Sequence, residues 1–83
     1  MRCVEFEVLK SYGSPNVYFF GHEMKHSCLI AIPAWNWIFL MDYTINFEDE
    51  KPMLMKALEK YVSYDLVENV ADAFYDYVFS EFN

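Results

Sequence analysis

Apolar and polar residues alternate at the start of the chain, where Glu5 and Glu7 separate Val4, Phe6 and Val8. A period of two marks a half-buried strand and predicts one over Cys3–Leu9. The stretch Ser11-Tyr12-Gly13-Ser14-Pro15-Asn16 is dense in turn formers and closes it. Val17-Tyr18-Phe19-Phe20 is a second run of β-formers, and the short connection favours an antiparallel hairpin. Gly21 to Ser27 is a polar interruption. Cys28-Leu29-Ile30-Ala31-Ile32 then has the continuous apolar character of a strand covered on both faces, and Pro33 ends or bends it. Residues 35–47 suit two elements. Trp35, Ile38, Phe39 and Asp42 fit a helical spacing behind Pro33, whereas the β-branched and aromatic content favours a further strand, which we take.

The second half has a helical period. Leu54, Ala57, Leu58, Tyr61 and Val62 share one face, opposite Lys56, Glu59 and Lys60, and Leu66, Val70, Phe74, Tyr77 and Val78 share another. One straight helix would set these faces roughly 160–180° apart, so it could not bury both against one sheet. Two helices meeting near Ser63 to Asp65 satisfy both, with Asp65 as N-cap and Glu68 completing a capping box. Asp49 and Glu50, just before Pro52, start the first. The predicted fold is α+β: a small antiparallel sheet of three to four strands in the N-terminal half, packed against two C-terminal helices.

The 83 residues fit a single domain, 1–83, and a hydrophobic content of 55% with 20% aromatics excludes disorder. Cys3 and Cys28 are too few for a disulfide framework and are expected as buried thiols of a reducing compartment. Glu5 stands where a signal peptide needs its apolar core. The most apolar stretch, Cys28–Met41, is interrupted by Pro33 and Asn36 and falls short of the roughly 20 residues of a membrane span. A cytoplasmic protein without membrane contact is expected.

Six basic residues against 13 acidic ones give a net charge of −7, which argues against direct nucleic-acid binding, since displacing counterions from phosphates takes Lys and Arg. His22-Glu23-Met24-Lys25-His26 matches the H-E-x-x-H pattern, in which two His one helical turn apart hold zinc and the Glu activates water. That mechanism needs a helix, whereas strand-like runs flank this motif, so no catalytic zinc is expected. A small metal-binding protein using His22 and His26 is the lesser alternative. No Ser sits in a G-x-S-x-G elbow, Cys28 near His26 lacks a third orienting group, and two glycines cannot build a phosphate cradle. Neither an enzyme nor a cofactor is expected.

From Tyr61 onward the chain has no Lys or Arg, and Asp65, Glu68, Asp72 and Asp76 recur at spacings of three, four and four, within about 80° of helical arc. Tyr75 borders this row and Phe79 continues it. The row is read either as a solvated face or as a surface for a basic partner, with the aromatics as anchors in a steering field. On either reading Asp72→Asn and Asp76→Asn are expected to leave folding unchanged or slightly improved by relieved repulsion, and on the second to weaken binding. At the level of composition only, the chain resembles the small acidic inhibitors that bacteriophages use against host nucleases, anti-restriction and anti-CRISPR proteins among them. That resemblance implies a nucleic-acid mimic in the basic groove of a host nucleic-acid-binding protein, acting in the host cytoplasm. The alternative is a homo-oligomeric interaction protein: Trp35 to Met41 is more apolar than one strand facing helices needs, which places a dimer interface at Trp35, Trp37 and Phe39.

Overall fold

The computed structural model describes residues 1–22, 26–42 and 44–82. Strands β1 (Arg2–Val4), β2 (Val17–His22), β3 (Ser27–Ile32) and β4 (Trp37–Asp42) form an antiparallel meander in chain order, followed by helices α1 (Phe47–Leu58) and α2 (Tyr64–Phe82). This is the α+β architecture that the periodicities predict, with four strands. Both helices lie on one face of the sheet. That inner face carries Val17 and Phe19, Cys28, Ile30 and Ile32, and Trp37 and Met41. Leu54, Leu58, Val62, Val67, Val70, Ala71, Phe74 and Val78 close the core from the helical side. Phe74 sits 5.1 Å from Phe6, 6.1 Å from Phe19 and 6.3 Å from Trp37, centroid to centroid. Large rings supply the buried apolar area that so short a chain otherwise lacks.

The structure corrects the sequence reading at several places. The first strand stops at Val4, and Glu7–Tyr12 winds into a 3-10 helix ended by Gly13 at φ 85°. A continued strand would turn Leu9 outward with Glu5 and Glu7; the helical turn buries it completely. Strand β3 is covered on one face only, since Leu29 and Ala31 stay half-exposed while Cys28, Ile30 and Ile32 are buried. Helix α1 begins behind Asn46, whose carbonyl accepts from the Asp49 and Glu50 N–H groups, so Pro52 lies inside the helix rather than at its start. Helix α2 begins behind Ser63, whose carbonyl accepts from Leu66 and Val67. Asp65 therefore lies within the first turn, and the expected capping box does not form. The Ser63 N–H, which a capping-box carboxylate would take, donates instead to the Tyr12 hydroxyl at 2.8 Å. Of the two cysteines, Cys28 is buried as expected but Cys3, on the outermost strand, is exposed.

The β3–β4 hairpin turns through Pro33–Trp35 in 3-10 geometry, with Asn36 in left-handed backbone at φ 53° and its N–H on the Pro33 carbonyl. Trp35, on that turn, stacks on Tyr61 at 5.3 Å and meets Tyr12 edge-on at 6.1 Å. Three connections are thereby gathered at one end of the molecule.

Candidate protein-binding surface

Helix α2 presents the acidic row, but α1 changes its electrostatics. Lys51 reaches across the helix pair, 2.7 Å from a Glu68 carboxylate oxygen and 2.9 Å from one of Asp72. The hydrogen bonds to Glu68 and Asp72 hold its ammonium above the ordinary lysine pKa. The middle of the row is thus compensated from another element, which no inspection of α2 alone reveals. Asp65 and Asp76, at the two ends, are exposed and make no ion pair among the described residues. Asp72→Asn is accordingly no neutral change, because it removes half of the Lys51 clasp.

Beyond Asp72 the surface becomes aromatic. Phe47, at the start of α1, stacks on Tyr75 with centroids 3.8 Å apart, and Tyr75 meets Phe79 at 4.5 Å. Tyr75 and Phe79 are one helical turn apart, so their rings adjoin. Phe79 remains substantially exposed. Burial, and secondarily Asp76, raises the Tyr75 hydroxyl pKa. Asn46, Phe47, Glu48 and Tyr75 line an open hollow of about 490 Å³. Stacked rings and a carboxylate in one hollow match a guanidinium or ammonium group, which gains from both the ring face and the charge. Lys51 already lies 6.0 Å from the Phe47 ring centroid. Sequence reasoning found Tyr75, Phe79 and Asp76 but missed Phe47 and Glu48. Their place was concealed because α1 begins earlier than Pro52 suggested.

The residues expected at an oligomer interface separate. Trp37 belongs to the core, only 7% exposed, with its indole N–H on the Ala57 carbonyl at 2.8 Å. It is corrected from interface to interior, because its strand parity turns it toward the helices. Phe39 lies partly buried against Trp37, and Trp35 is partly buried beneath Tyr61. The exposed apolar residues of β4 are Ile38 and Leu40, on the opposite face.

In the H-E-x-x-H motif, Glu23, Met24 and Lys25 lie outside the described residues. His22 ends β2, paired with Ser27, and His26 has left-handed backbone at φ 49°, so the two His do not belong to one helix. Among the described residues no group of three or more His, Cys, Asp or Glu is placed to hold a metal ion, and no helix is long and apolar enough to cross a membrane. No protein-family model, curated protein or solved structure matches the chain.

Proposed function

We propose that the chain is a non-enzymatic protein-binding module that holds a basic partner at the hollow of Phe47, Glu48 and Tyr75, flanked by Phe79 and Asp76. The observation that supports this most directly is the meeting of stacked aromatic rings and the Glu48 carboxylate in an open hollow, on a protein of net charge −7. A side chain of Arg or Lys entering the hollow loses little solvation before it meets compensating charge. The Lys51 clasp argues for recognition at this end of α2, not along a continuous phosphate-like row from Asp65 to Asp76. Nucleic-acid-binding proteins, with Arg and Lys lining their grooves, are the partners of this chemistry, and occupying such a groove would inhibit them as anti-restriction and anti-CRISPR proteins do.

The test is capture from the native host's lysate by the parent and by an Asp76→Asn, Phe79→Ser variant, with bound proteins identified by mass spectrometry. A basic protein retained by the parent, released by salt and lost from the variant supports the proposal. Equal retention by both proteins overturns it.

A further inference from the structure

We infer that the outer face of the sheet is a homodimer interface, on which a second copy of this chain packs face to face. The strand register sets three rows across this face: Cys3, Tyr18, Ala31 and Ile38 in one, Phe20, Leu29 and Leu40 in the next, and His22, Ser27 and Asp42 at the end of the face away from the Pro33–Trp35 turn. Ile38 is 67% exposed, Leu40 61% and Phe20 42%, because both helices cover the other side. The first two rows contain no charged residue; Asp42 stands at the end of the third, its carboxylate turned to the Thr44 N–H and hydroxyl. Arg2, next to Cys3, turns to the helical side and pairs with Glu81 at 3.0 Å.

Two arguments select a second copy as the occupant. Three strands of six residues and one of three, about 4.8 Å apart, present roughly 330 Å² in projection on each copy, and the relief of the protruding side chains brings the accessible area that a stacked pair excludes toward the ~1,000 Å² in total that marks a specific interface. Charge gives the second. Face-to-face stacking sets the two sheets about 10 Å apart and leaves the acidic helices on opposite outer sides. With a further layer of about 10 Å on each side, the helices stand well beyond the ~8 Å screening length. Two chains of charge −7 meet in this way with their repulsion largely screened.

The experiment is sedimentation of the parent, of Ile38→Lys with Leu40→Lys, and of Phe20→Lys, with circular dichroism to establish folding. The parent should sediment at twice its 9.9 kDa chain mass at micromolar concentration and both folded variants at the chain mass. Phe20 separates this arrangement from edge-to-edge pairing along β4, which would not sense a change two strands away. A monomeric parent overturns the inference. A Phe20→Lys variant that remains dimeric, or a folded, dimeric Ile38→Lys, Leu40→Lys variant, overturns it as well. The acidic hollow lies on the other side, so these substitutions leave its binding intact.

Discussion

Single side chains join the sheet to the helices by a few polar contacts within an apolar core. The indole N–H of Trp37 meets Ala57, one of the last carbonyls of α1, which has no partner within its own helix. Trp37→Phe keeps a ring in place but strands that carbonyl, and chemical denaturation should show a loss of about 1–3 kcal/mol. Glu50 is the buried carboxylate of the core, and it accepts the Asp42 N–H at 2.8 Å. Burial raises its pKa above the usual 4.5, the Asp42 N–H opposes that shift, and the Asp42 carboxylate adds to it. For an acid raised in the folded state, stability is fully present below the unfolded pKa and is lost as pH rises through the folded one. Glu50→Gln keeps an acceptor for Asp42 without this titration. Its melting temperature should therefore exceed the parent's at neutral pH, and the gap should close toward pH 4; a gap independent of pH contradicts the assignment. Neither role is legible from sequence. Glu50 reads there, with Asp49, as one of two acids at a helix start, and only the approach of β4 buries it.

Elements were legible where their period is long and uninterrupted. The phase reversal between Leu54–Val62 and Leu66–Val78 separates the helices because both faces must meet one sheet. Boundaries were not legible where a distant residue sets them: Ser63 takes the N-cap of α2 because Tyr12, remote in sequence, accepts its N–H. The initial alternation misled because Leu9 needs a 3-10 turn to reach the core, and period alone does not reveal a change of conformation. The Lys51 clasp on Glu68 and Asp72 is likewise a relation between helices. Lys51→Met should lower the melting temperature more at low salt than at high salt, because it removes the cation between two acids that then repel. An equal loss at both salt concentrations would assign the effect to packing instead.

At the scale of the whole molecule, the sheet separates two surfaces of opposite character, one largely apolar with Asp42 at its end, the other acidic with an aromatic hollow. Composition foreshadowed both, as an excess of acids and an excess of apolar residues, but only the register and the single-sided helix layer assign them to opposite sides. Acidic-side substitutions that break no ion pair should consequently act mainly on partner binding. Asp76 and Phe79 are the informative positions, since Asp76 makes no ion pair among the described residues and Phe79 is exposed. Asp76→Asn with Phe79→Ser should weaken the complex with the captured basic partner by roughly 1–3 kcal/mol and reduce its salt dependence, leaving the sedimenting mass unchanged and lowering the melting temperature only by the lost contact of Phe79 with Tyr75. Asp72→Asn should behave differently: it releases one side of Lys51, so its effect on binding comes with a lower melting temperature. Titration of the partner at two salt concentrations, alongside thermal unfolding of each variant, separates the two. If Asp76→Asn with Phe79→Ser binds as tightly as the parent at both salt concentrations, the acidic face is only solvated and recognition lies elsewhere.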